Sequence, residues 1–134
     1  MVHPIYLWNG NQKLHTQNAL LAGEAACLVD PFTAEGIRPS IWSGLKASEA
    51  IDRALGGDLN ALEDYTHILA QTWGSEMALA QRIAQGFYQF THLAYKVGIE
   101  QGTSGHTFFK IFSGELKYAS IIESALKKFN PFSV

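Results

Sequence analysis

Glu24 follows Gly23 at the end of a short apolar run, Ala19-Leu20-Leu21-Ala22. Glycine there admits backbone angles closed to other residues, or the close approach of a ligand. The carboxylate of Glu24 is an acceptor for hydroxyl groups. Asp30-Pro31 marks a turn, because proline pushes its predecessor out of the helical region. Thr33-Ala34-Glu35-Gly36-Ile37 then opens a helix, whose first amides lack internal partners and carry partial positive charge. A strand end, a carboxylate and a helix N-terminus in one loop suit an electron-rich ligand that carries hydroxyls.

The other reactive side chains have plainer readings. Glu24 taken alone is an acidic helix cap. Asp30 reads as a turn former rather than a catalytic acid. Cys27 lies near a helix start, where a thiol pKa can fall, but a small buried residue is the preferred role. His3, His15, His67, His92 and His106 show no metal-ligand spacing with another His, Cys or Glu and read as structural or surface residues. No G-x-S-x-G nucleophile motif occurs.

The stretch from Gly23-Glu24-Ala25-Ala26 through Asp30-Pro31-Phe32-Thr33-Ala34-Glu35-Gly36-Ile37 resembles the second FAD-binding signature of the p-hydroxybenzoate hydroxylase-like flavoproteins. It is most similar to the geranylgeranyl reductase branch, whose pattern is G-D-A-A-G-x-x-x-P-x-T-G-E-G-I. The resemblance implies FAD as cofactor, reduced by NAD(P)H, and an isoprenoid (polyprenyl) substrate whose double bonds are reduced. By position it implies a ribityl-binding role for Glu24 and a flavin-facing role for the amides of Gly36 and Ile37. Gly23, Ala25, Ala26, Pro31 and Thr33 complete the implied cofactor-binding set, and no catalytic acid or base is assigned. Glu24 stands where Asp is usual in that pattern, and Cys27 and Ala34 stand where glycine is usual. Related flavin-dependent monooxygenases, halogenases and cyclases share the scaffold. A non-catalytic helical module that binds a lipid or a protein is the alternative outside that class.

The elements that position these residues follow from the chain in order. Val2 to Trp8 is rich in strand-forming residues, with Pro4 limiting it to an edge or a strand start. Asn9-Gly10-Asn11 favours a hairpin, with Lys13 to Thr16 as its returning arm. Ala19 to Ala22 is the strand into the signature. Glu35 to about Leu55 is a helix, with Ile37, Ile41, Leu45, Ser48, Ile51 and Leu55 on one stripe expected to face the core. Pro39 falls in its first turn and Gly56-Gly57 ends it. Gly44 beside the stripe reads as a close helix-sheet contact. Asn60-Ala61-Leu62-Glu63 has capping-box spacing and starts a helical region to about Gln101. Its apolar face comprises Leu62, Leu69, Ala80, Ile83, Phe87, Phe90, Ala94 and Val97, with bends at Trp73-Gly74-Ser75 or Gly86. Gly102 to Gly105 breaks the chain, and His106 to Phe112 is a short helical piece. Glu115 to Phe129 is a final amphipathic helix, with Tyr118, Ile122 and Leu126 on one side.

These elements predict an α+β, mostly helical fold: short N-terminal strands, then a long-helix region. The resemblance makes it a fragment of a Rossmann-like FAD protein. Residues 1–57 would be the end of an FAD-binding domain and residues 58–134 a helical, substrate-capping region. No G-x-G-x-x-G follows a strand, so the sequence reads as the C-terminal part of such a protein. The missing FAD-binding part would be supplied in cis or in trans.

A chain of 134 residues can bury a real core. Its net charge of −2 argues against a nucleic-acid partner. Its single cysteine forms no internal disulfide and fits a reducing, cytoplasmic setting. The first residues lack a signal-peptide pattern, and no apolar run is long enough to cross a membrane. Lys117, Lys127 and Lys128 beside Phe129, Phe132 and Val134 suit a helix resting peripherally on an anionic membrane, against the commoner reading of a solvated face. Phe87, Tyr88, Phe90, Tyr95, Phe108, Phe109 and Phe112 are core, or the lining of an isoprenoid tunnel, with core preferred. Exposed apolar surface predicts self-association of such a piece.

Overall fold

The computed structural model describes residues 4–10, 13–89, 109–110, 113, 115–120 and 122–123. The chain divides into two compact units, Met1–Ala78 and Leu79–Val134, whereas the sequence reading divides it after Gly57. The described residues are mostly helical. Helix α1 spans Ile37–Leu55, α2 spans Ala61–Leu69 and α3 spans Ser75–Gln89. A single 3-10 turn covers Gly23–Ala26, and a π-helical turn, Ala70–Gly74, joins α2 to α3 at the expected bend. No helix among the described residues is long and apolar enough to cross a membrane.

The expected strands are absent from the described residues. Leu21 N–H donates to Leu14 C=O at 2.8 Å and Thr16 N–H to Ala19 C=O at 2.8 Å. Together they form a tight reversal with one antiparallel bridge, His15 to Leu20. Thus Lys13 to Thr16 pairs forward with residues 19–21, not back across Asn9-Gly10-Asn11. The first segment is tied by Trp8 N–H to Val29 C=O at 3.1 Å. Isolated bonds of this kind do not make the repeated ladder that defines a strand pair.

In the first unit the core gathers Trp8, Leu14, Ala26, Leu28, Ala47, Ala50, Tyr65, Leu69 and Met77. Helix α1 meets this core through small residues. Pro39, Ser43, Ala47 and Ala50 are buried, while the large aliphatic stripe faces outward, with Ile37 74% and Leu55 85% exposed. That reverses the expected facing. Small side chains let the 23–28 loop and α2 approach the helix axis closely, so the apolar stripe is left on the opposite face. Gly44 is exposed, and a Cβ built on it would meet nothing within 4 Å. The close contact expected there is therefore not made.

The capping box at Asn60 does not form either. Asn60 makes no side-chain cap. Asp58 Oδ1 accepts the Asn60 N–H instead, at 3.0 Å. Arg53 in the last turn of α1 reaches Asp58 and, at 2.7 Å, Asp64, and so ties α1 to α2. Trp42 and Trp73 pack edge to face, with centroids 6.1 Å apart, against the same core.

In the second unit Ala80, Ala84 and Tyr118 are buried, and Ile83 and Phe87 are half-buried. Phe87 meets Tyr88 edge-on at 5.7 Å, and Phe109 is exposed. Residues 118–120 and 122–123 are helical. Outside the described residues lie Phe90, Ala94, Tyr95, Val97, Phe108, Phe112, Leu126, Lys127, Lys128, Phe129, Phe132 and Val134, the Gly102 to Gly105 break, and His3, His92 and His106.

Candidate functional site

The signature loop is built by backbone hydrogen bonds closed over glycine-like angles. Gly23 takes φ +59. A Cβ there would lie 2.8 Å from Ser40 Oγ, so only glycine lets this turn rest on α1. The buried Ser43 hydroxyl accepts the Gly23 N–H at 3.0 Å and donates to Ser40 C=O at 3.0 Å. At the end of the 3-10 turn, Cys27 N–H bonds to Glu24 C=O and Leu28 N–H to Gly23 C=O. That pattern terminates a helix on a left-handed residue, usually glycine. Cys27 fills the place at φ +51.

Asp30 shapes the second half of the loop. Its Oδ1 accepts Phe32 N–H at 2.8 Å and Thr33 N–H at 2.9 Å. Its backbone pairs with Ala34 and Glu35 at 2.9 and 2.8 Å. Asp30 is therefore the turn former that its neighbour Pro31 suggests. Ala34 takes φ +58. Cys27 and Ala34 are the only non-glycine residues with positive φ among the described residues, and they are the two positions where this chain lacks a glycine that the flavoprotein pattern has.

The loop delivers the chain to the start of α1. Glu35 caps it: Oε1 accepts Arg38 N–H at 2.8 Å, and a carboxylate there complements the helix dipole. Among the described residues no hydrogen bond ends on the amides of Gly36 and Ile37. A Cβ on Gly36 would lie 3.2 Å from Val29 Cγ2, so glycine sets how closely α1 seats on the loop.

A cleft of about 410 Å³ opens here, within the range of small-molecule sites. Glu24, Gly36, Ile37 and Ser40 line it together with Ala34, Val29, Ile5 and Ile41. Of the residues expected at a cofactor, the cleft brings together Glu24, Gly36 and Ile37. Gly23 is buried beneath Ser40 and acts through the backbone. Ala26 is wholly buried in the core. Pro31 is buried, Thr33 is half-buried with its hydroxyl accepting Glu35 N–H at 3.3 Å, and Ala25 is exposed. None of these five lines the cleft. Ile5, Ser40 and Ile41 were not read as site residues. Of these, only Ser40 and Ile41 carried a signal, their place in the first turns of α1.

A second, wider cleft of about 690 Å³ lies between the 13–18 reversal and the α1–α2 junction, lined by Lys13, His15, Ile51, Leu55, Leu59 and Leu62 among others. His15 Nδ1 is 2.7 Å from Thr66 Oγ1, which gives it a structural role. Exposed His67 lies 3.8 Å from Glu63. No cluster of metal-ligating side chains occurs among the described residues. Burial raises the Tyr65 hydroxyl pKa to about 12. The group donates to Leu21 C=O at 2.8 Å beneath the signature loop.

No family model matches this sequence, and no solved structure matches it. It is similar to the uncharacterized protein MJ1520 of Methanocaldococcus jannaschii, with 35% identity over 75 residues. The match covers 56% of this chain and 19% of that protein. The chain thus spans about a fifth of the relative's length.

Proposed function

We propose that this chain supplies the ring- and ribityl-facing part of the FAD site of a flavin-dependent reductase resembling the geranylgeranyl reductases. The observation that carries the reading is conformational. The two residues that replace glycine in the flavoprotein pattern are, among the described residues, the two non-glycine residues held in left-handed backbone. A resemblance of letters alone would not require that agreement. The donor set also fits. Gly36, Ile37 and Glu24 all line one open cleft.

In this reading FAD, reduced by NAD(P)H, supplies the hydride chemistry toward isoprenoid double bonds. The work of this chain is positional and electrostatic. The start of α1 offers unengaged N–H groups and the positive end of a helix dipole to an electron-rich ring edge. Glu24 accepts hydroxyls of a sugar-alcohol tail. Val29, Ile37 and Ile41 exclude water from the apolar wall. The pyrophosphate contacts belong to a separate dinucleotide-binding part, in cis or in trans, and the isolated chain is inactive.

The test joins the chain to an upstream polypeptide carrying G-x-G-x-x-G and titrates FAD. Tight binding is expected, with Glu24→Ala and Gly36→Asp each weakening it by about tenfold or more. If the joined protein leaves FAD unbound, or if both variants bind as well as the parent, the reading fails. The wider cleft, with Leu55, Leu59 and Leu62 on its wall, favours one alternative, a helical module that binds an apolar ligand without flavin. Saturable binding of a fluorescent fatty acid by a protein that never takes FAD would select it.

A further inference from the structure

The exposed face of α1 has an internal symmetry. Ile37, Ile41, Gly44, Ser48, Ile51 and Leu55 recur at alternating spacings of four and three residues, the seam of a coiled coil. All six are exposed, Ile41 by 63% and Leu55 by 85%. The seam is also balanced about its middle. Reversed on itself about residue 46, it pairs Ile37 with Leu55, Ile41 with Ile51 and Gly44 with Ser48. Large residues then meet large ones in the outer layers. The small central pair lets two helix axes come close, and Gly44 has open space around it.

The seam's edge carries complementary charge. Arg38, Leu45 and Asp52 lie one heptad apart on that edge, all exposed. On this edge the pairs reflect about residue 45, one position from the seam's centre: Arg38 comes nearest Asp52 of the second helix, twice, and Leu45 nearest Leu45 beside the twofold axis. Asp52 has no side-chain partner among the described residues. Arg38 holds a loose, exposed contact to Glu35 at 3.4 Å. The remaining charges of α1 are paired within the chain, Lys46 with Glu49 and Arg53 with Asp58 and Asp64.

We infer that α1 is a homodimer interface, on which a second copy of this chain lays its own α1 antiparallel about a twofold axis. A twofold contact uses the same patch on both copies, and this seam complements itself only when reversed. One helix face per copy is at the low end of specific interfaces, so the dimer is reversible and concentration-dependent. The inference rests on spacing and charge, independently of the flavin reading, and its test contains no flavin.

Sedimentation velocity of the full chain, from low- to high-micromolar concentration, is expected to show a monomer–dimer equilibrium. Leu45→Glu, which places two carboxylates beside the axis, should leave only monomer while far-UV circular dichroism is unchanged. Arg38→Asp and Asp52→Arg should each weaken the dimer on the order of tenfold. The two together should restore it, which unspecific hydrophobic association would not do. A monomer at every concentration would leave the face to a different polypeptide and overturn the proposal. So would an intact Leu45→Glu dimer, or a double variant no better than the singles.

Discussion

Cys27 and Ala34 hold backbone angles that cost a residue with a Cβ about 1–2 kcal/mol relative to glycine, less the extra entropy glycine loses on folding. Cys27→Gly and Ala34→Gly should therefore each stabilise the chain by about 0.5–1 kcal/mol, seen as a higher urea midpoint at constant slope. A lower midpoint for both would show that the loop does not hold these angles. Tyr65 makes a pH-dependent contribution. Its folded pKa lies near 12 because burial disfavours the phenolate, above the ordinary value of about 10. The unfolded chain loses that proton first, so stability is full below about pH 10 and falls as pH rises toward 12. Tyr65→Phe should flatten that alkaline loss while costing about 1 kcal/mol at neutral pH for the bond to Leu21. Some of this scale was legible in the sequence. Asp30 as turn former followed from Asp-Pro. The left-handed angles at Cys27 and Ala34 did not follow from their own side chains, which disfavour them. They became readable only through a pattern with glycine at both places.

At the scale of elements, α1 was legible in extent and not in orientation. Pro39 in the first turn and Gly56 after the last one bracket it as expected. Periodicity reports that a helix is two-faced, but the larger apolar face need not be the packed one. Here Ser43, Ala47 and Ala50 win because the signature loop presses against α1, and close approach needs small side chains. Ser43 joins the two elements: its hydroxyl accepts from Gly23 and donates to Ser40. Ser43→Ala should leave a buried N–H without a partner and cost about 1–3 kcal/mol. Denaturant unfolding measures that cost, and a change below a few tenths would place the weld between loop and helix elsewhere. The N-terminal strands failed for a related reason. Strand propensity in Val2 to Trp8 and Ala19 to Ala22 says what a residue tolerates, while a strand needs a neighbour that pairs along its length. Within the described residues that neighbour is missing.

For the whole molecule, the sequence indicated a mostly helical chain and the loop that the cleft surrounds. It did not reveal the division after Ala78, because that division falls inside α3, Ser75–Gln89, where no linker or glycine marks it. Of the open surfaces in the first unit, the signature cleft and the outer face of α1 share Ile37 and Ile41. A second copy on α1 would therefore extend the apolar wall of the cleft, so the proposed ligand and dimer contacts share an edge.

The central claim concerns the loop between Gly23 and Ile37, and it can be read directly in the full chain. Amide chemical shifts are followed by heteronuclear NMR as FMN, which carries the ring and ribityl tail without adenosine, is added. Without the dinucleotide-binding part, affinity should be on the order of millimolar. The account predicts saturable shifts concentrated at Glu24, Ala34, Gly36 and Ile37. Unmoved amides at Gly36 and Ile37, or shifts gathered instead around Leu59 and Leu62, would contradict it.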